Sequence, residues 1–121
     1  MSERRPAGAT RARRGQRVPG EDGSGARARF DPIIHAPNRL QITSMLAGLA
    51  TADFATLRDA LGVSDSVLSK HLHTLEEAGY VVIRKLTVAR RSRTTVALTP
   101  AGRAAFLGHI AELRRLTDDV L

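Results

Sequence analysis

The stretch that most constrains the fold is residues 63–80, VSDSVLSKHLHTLEEAGY. It carries a start signal, an apolar stripe and a stop signal for one amphipathic helix over residues 64–78. Ser64 can accept a hydrogen bond from an early unpaired N–H as the N-cap. Asp65 adds negative charge in the first turn, where the helix dipole favours it. Leu68, Leu72 and Leu75 follow at i, i+4 and i+7, and Gly79 can end the helix as a left-handed C′ residue. The opposite face presents Ser66, Ser69, Lys70, His73 and Glu77. Hydroxyls, a lysine and a histidine in its early turns are donors able to reach base edges and phosphates in a major groove. An ordinary solvated helix carries such a face too, so the flanking chain decides between the two.

Before this helix, residues 55–61 read as a short helix ended by Gly62, with Leu57 and Leu61 turned inward. Two short helices joined by a tight glycine-containing turn make a helix-turn-helix, and the second, donor-bearing one is the candidate recognition helix. Asp53-Phe54 reads as a brief extended link. Pro37 starts a longer helix to about Leu49 that has two apolar faces. Ile42, Met45, Leu46 and Leu49 make one, and Leu40, Thr43 and Ala47 lie opposite, so a second layer is expected to cover them. Further upstream, Asp31 as N-cap with Pro32 at N1 predicts a short turn of helix.

After the helix the period changes. Residues 81–83 and 94–98 are β-branched and strand-like. Between them, residues 84–93 carry Arg84, Lys85, Arg90, Arg91 and Arg93 and no acid. A two-stranded hairpin with a basic tip is the expectation. Placed directly after a candidate recognition helix, such arginines can lie along phosphates or enter a narrow minor groove, rather than simply being solvated.

Charge distribution supports a polyanionic partner. The 121 residues carry a net charge of +7. Residues 1–30 contribute +5 and residues 84–93 another +5, which leaves the remainder at about −3. Residues 1–29 are rich in Arg, Gly, Ala, Pro and Ser, with Val18 as the one large apolar residue, so they are expected to be a disordered basic tail. Such a tail is either a DNA-binding arm without sequence information or inert. Residues 30–121 are then the folded domain. With no cysteine, disulfides and thiolate metal sites are excluded. No apolar run approaches the roughly 20 residues of a membrane span, and no apolar signal segment follows the N-terminal arginines. The expected location is cytoplasmic and nucleoid-associated, with no membrane partner.

Thr99-Pro100 is a helix start, an N-cap followed by an N1 proline, and the last helix should cover residues 99–120. Phe106, Ile110, Leu113 and Val120 fall on one stripe, flanked by Leu107 and Leu116. That stripe exceeds what so small a domain needs for itself. It is expected to pair with its copy in a homodimer, helped by Leu40 and Ala47.

Helix, helix-turn-helix, basic hairpin and long terminal helix together make a mainly α winged helix-turn-helix with a small β-hairpin wing. Within it, residues 69–72, SKHL, followed by residues 75–81, LEEAGYV, resemble the recognition helix of the ArsR and MarR groups of bacterial transcriptional regulators. Residues 35–42, HAPNRLQI, resemble their first helix. Residues 91–103, RSRTTVALTPAGR, resemble their wing and the entry to their last helix. The likeness covers residues 30–115. It implies a homodimer, a repressor or activator, on pseudo-palindromic double-stranded DNA. Ser66, Ser69, Lys70 and His73 would face the major groove, and Arg90, Arg91 and Arg93 would form the wing contact. Arg84 and Lys85 complete the basic run, and His71, bordering the apolar stripe, would be a half-buried packing residue that touches phosphate. An unidentified small-molecule effector would lie between the last helix and the DNA-binding body, where no polar cluster names its chemistry.

Metal sensing occurs in the ArsR group. Here His109 and Glu112 share a face at i, i+3, but the positions that would complete a zinc site hold Val96 and Leu98, so no metal is expected. There is no phosphate-binding glycine loop, nucleophile motif or HExxH, so no cofactor or enzymatic activity is expected either. The competing functions are a winged-helix protein-interaction module and a non-specific nucleic-acid-binding protein.

Overall fold

The computed structural model describes residues 27–118 and 120. The tail read over residues 1–29 therefore lies, apart from its last three residues, outside the described residues. The described residues divide into two compact units, residues 31–106 and residues 107–118 with residues 27–30.

The first unit runs α1 (Pro32–His35), α2 (Pro37–Ala47), β1 (Ala52–Asp53), α3 (Phe54–Leu61), α4 (Asp65–Glu77), β2 (Val81–Val88), β3 (Arg91–Leu98) and the start of α5 (Pro100–Asp118). Asp31 caps α1 as expected, its Oδ1 accepting from the N–H groups of Ile33 and Ile34 at 2.9 and 3.1 Å. Ser64 caps α4, accepting from Val67 N at 3.2 Å. The helices and sheet close over Ile34, Ile42, Leu46, Leu57, Leu68, Leu75 and Val96, all at most 1% exposed. Each such aliphatic side chain contributes roughly 1.5–3 kcal/mol. Thr43 joins them because its hydroxyl donates to the carbonyls of Arg39 and Leu40 at 3.0 and 3.1 Å, which satisfies it within its own helix.

Three elements differ from expectation. Helix α2 stops at Ala47, where Gly48 N and Leu49 N close the last turn on Met45 O and Leu46 O. Leu49 consequently leaves the core and is 45% exposed. The extended link sits one residue earlier, and Phe54 already begins α3. As β1 it pairs antiparallel with β3, Ala52 opposite Val96 and Asp53 opposite Thr95, so the sheet has three strands in the order β1-β3-β2. Strands β2 and β3 each run eight residues, through the basic stretch up to a two-residue turn, Ala89-Arg90. The aliphatic stem of arginine covers cross-strand neighbours, and Leu86 opposite Arg93 and Val88 opposite Arg91 extend the ladder that far.

The junction residues 99–102 have a mechanical role. Thr99 N donates to Tyr80 O at 3.0 Å, and Thr99 Oγ1 donates to Gly79 O at 2.6 Å while accepting from Gly102 N at 2.9 Å. The backbone of α5 approaches Tyr80 so closely that a Cβ at position 102 would overlap the Tyr80 carbonyl. Tyr80 also donates its hydroxyl to Asp31 Oδ2 at 2.6 Å. The end of α4, the start of α5 and the cap of α1 are thus one hydrogen-bonded joint.

In the second unit, Arg29 N donates to Gly108 O at 2.9 Å. A Cβ on Gly108 would strike the Arg27 carbonyl, so this approach also requires glycine. Phe30 meets the His109 ring edge-on, with centroids 4.9 Å apart at 68°, and His109 is fully buried. Glu112 accepts from Arg115 at 2.8 and 2.7 Å through its two oxygens, which holds its carboxyl below the usual range. The His109 and Glu112 side chains are therefore each engaged by protein groups.

Candidate nucleic-acid interface

Helix α4 buries Leu68, Leu72 and Leu75 and leaves Ser66, Ser69, Lys70 and His73 exposed. Arg58 of α3 braces its N-terminal end, donating to Asp65 Oδ1 at 3.0 Å and to Asp59 Oδ1 at 3.0 Å. Those carboxylates raise the Arg58 pKa further. Ser66 Oγ lies 3.3 Å from Ser64 Oγ. His73 Nε2 lies 3.3 Å from Glu77 one turn on.

His71 is half-buried. Its Nδ1 lies 3.3 Å from Arg39 Nη1 and its Nε2 3.3 Å from Asn38 Nδ2, both on α2. A guanidinium only donates, so Nδ1 accepts and the neutral ring carries its proton on Nε2. The opposite rotamer of the Asn38 amide puts an oxygen there to receive it. Burial, then the charges of Arg39 and Lys70, push the His71 pKa down. Arg39 is itself fixed, its Nε donating to Ile33 O at 2.6 Å. These α2 partners were invisible in the sequence, because only the fold brings positions 38 and 39 to position 71.

The wing separates its basic residues by strand alternation. Lys85 shares a face with Ile83 and, across the ladder, Thr94, and this face looks onto α4. Arg84, Arg91 and Arg93 belong to the other face, with Val82, Leu86 and Val88. Arg93 is held there by Asp53 through Nε to Oδ1 at 3.1 Å and Nη2 to Oδ2 at 3.0 Å, which offsets its charge. Arg90 stands in the turn. Ala89 and Arg90 have φ of +50° and +65°, the left-handed pair of a type I′ hairpin turn, where Asn-Gly would be the relaxed choice.

The residues expected at a dimer contact are distributed as follows. Leu40, Ala47, Leu107, Ile110 and Leu113 are half-buried, and Leu116 and Val120 are 51% and 79% exposed. Phe106 is only 8% exposed within its own chain, so the core takes most of a side chain that the sequence assigned to a partner.

The model of a winged-helix DNA-binding domain matches residues 38–117. An uncharacterized protein of Methanocaldococcus jannaschii is 33% identical over 88 residues, 73% of this chain and 96% of that protein. The transcriptional regulator homologue of Pyrococcus horikoshii superposes with a TM-score of 0.69 at 28% identity, over 73% of this chain and 87% of that one. NadR, solved with 4-hydroxyphenylacetate, superposes with a TM-score of 0.60 at 27% identity, over 74% of this chain and 65% of that one. With α4 backed by a hairpin wing and followed by α5, the chain belongs to the winged-helix DNA-binding domains and resembles transcriptional regulators.

Proposed function

We propose that this chain is a sequence-specific transcriptional repressor that binds a pseudo-palindromic operator as a homodimer. Ser66, Ser69, Lys70 and His73 read base edges in the major groove, and His71 reaches phosphate by turning its single Nε2–H from Asn38 to the backbone. Arg84, Lys85, Arg90, Arg91 and Arg93 serve the backbone and minor groove, with Arg93 weakened by Asp53. The observation that carries this reading is the exposed donor-bearing face of α4 beside a wing that places Arg90 at its tip. Leu116 and Val120, with the half-buried Leu107, Ile110, Leu113, Leu40 and Ala47, supply the dimer contact. The two recognition helices then lie roughly 34 Å apart on one face of the duplex. Among the described residues no helix is long and apolar enough to cross a membrane, which accords with action on nucleoid DNA in the cytoplasm. The 4-hydroxyphenylacetate in complex with NadR supports a small-molecule ligand here too.

Footprinting on the DNA around the chain's own gene tests the reading. Two protected half-sites one helical turn apart are expected. Protection without a boundary would instead mean non-specific binding, and none at all would leave a protein-interaction module. Sedimentation at micromolar concentration tests the dimer, which a clean monomer overturns.

A further inference from the structure

Between α4 and the wing face carrying Lys85 lies a cavity of about 400 Å³, a size typical of small-molecule sites. Its floor is apolar, made by Phe54, Leu72 and Ile83, and Ser69 and Thr94 add a hydroxyl from either side. Four ionisable side chains reach it: Asp65, His73, Glu76 and Lys85. Two are committed elsewhere, Asp65 to Arg58 at 3.0 Å and His73 to Glu77 at 3.3 Å. Among the described residues, the carboxylate of Glu76 and the ammonium of Lys85 enter no ion pair.

An apolar-floored cavity with one uncommitted anion and one uncommitted cation selects its occupant by charge. A phosphodiester would be drawn by Lys85 and repelled by Glu76. A ligand with a single charge satisfies one group and leaves the other bare. A zwitterion with a short apolar body satisfies both, its carboxylate on Lys85, its ammonium on Glu76 and its body on Phe54, Leu72 and Ile83. We propose that this cavity binds a free apolar α-amino acid. Its effect on DNA rests on the reading of α4 as the recognition helix. Ser69, His73 and Lys85 belong to both surfaces, so an occupied cavity and a bound operator exclude each other.

The test separates the two parts. L-leucine and L-phenylalanine are titrated into the DNA-free protein while backbone amide resonances are followed. Saturable shifts at Ser69, Leu72, Glu76 and Lys85 are expected. Affinity should fall about tenfold or more in Glu76→Gln and in Lys85→Met, as for loss of a charge-assisted hydrogen bond. It should fall similarly for 4-methylpentanoate and isoamylamine, which each keep one of the two charges. No saturable shift at millimolar ligand, shifts centred elsewhere, or equal binding by the singly charged analogues overturns the site. Competition is then read on a footprinted fragment, where the amino acid should raise the apparent Kd for DNA. An unchanged Kd with the cavity filled overturns the exclusion, and a protein that binds amino acid but no DNA overturns the recognition-helix reading while the site stands.

Discussion

The wing turn yields a prediction in which stability and function move in opposite directions. Ala89 and Arg90 both hold positive φ, +50° and +65°, and a non-glycine residue in that region costs roughly 1–2 kcal/mol. Arg90→Gly relieves that strain but adds backbone freedom to the unfolded chain, worth roughly 0.5–1 kcal/mol, so a net gain of about 0.5–1 kcal/mol is expected. Opening of the hairpin should become less frequent by a factor of about two to five. Amide hydrogen exchange is the appropriate assay, because it reports opening whether the wing unfolds alone or with the domain. Slower exchange is expected at the ladder residues nearest the turn, Val88 and Arg91, which face each other. Operator affinity should fall. The slope of log K against log salt should shrink by about 0.9, the amount for one phosphate that the wing no longer neutralises. Ala89→Asn, which tolerates the left-handed region, should slow exchange and leave the salt slope unchanged. Faster exchange in Arg90→Gly would refute the strain argument. An unchanged salt slope with slower exchange would show that the tip arginine does not touch DNA.

Three further outcomes are expected. Gly102→Ala forces a Cβ into the Tyr80 carbonyl and should destabilise the domain by about 1–3 kcal/mol, seen as a lowered midpoint in chemical denaturation; wild-type stability would disprove the close approach. Asp53→Ala releases Arg93 from its pair and should leave stability nearly unchanged, as exposed pairs do, while raising DNA affinity and steepening the salt dependence; a weaker complex would show that Asp53 holds Arg93 in its working position. The lowered pKa of His71 means that, below the ordinary value of about 6.5, the unfolded chain takes up a proton the folded one does not. Stability should therefore fall with pH from about 6.5 down to the folded pKa. His71→Gln should flatten that segment, and an NMR titration midpoint for His71 at or above 6.5 would contradict the assignment.

What could be read in the sequence was local. The caps at Asp31 and Ser64, the Leu68-Leu72-Leu75 stripe and the Thr99-Pro100 helix start depend on neighbours within a turn or two, and all three stand in the structure. What could not be read depends on distant segments meeting. The His71 partners come from 32 and 33 residues away, the Asp53–Arg93 pair spans 40, and the Tyr80–Asp31 bond spans 49. The length of the wing escaped for another reason. Charged residues argue for a loop by composition, but a strand needs only that side chains alternate and stems pack. By composition the basic run is also a single patch, whereas its pleat sends Lys85 to one face and Arg84, Arg91 and Arg93 to the other.

That alternation has a consequence for how such a wing can diversify. Single substitutions alter one face and leave the other untouched. A one-residue insertion beside Ala89-Arg90 is a different kind of change. Unless a bulge absorbed it, one strand would slip against its partner and exchange its inward and outward residues. If β2 slipped, Lys85 would leave the α4 side and Arg84 would turn toward it; if β3 slipped, Arg91 and Arg93 would turn toward it and Val96 would be drawn out of the core. Length changes in steps of two keep both faces and only lengthen the ribbon. Among descendants of this chain, wing lengths are therefore expected to differ by even numbers of residues.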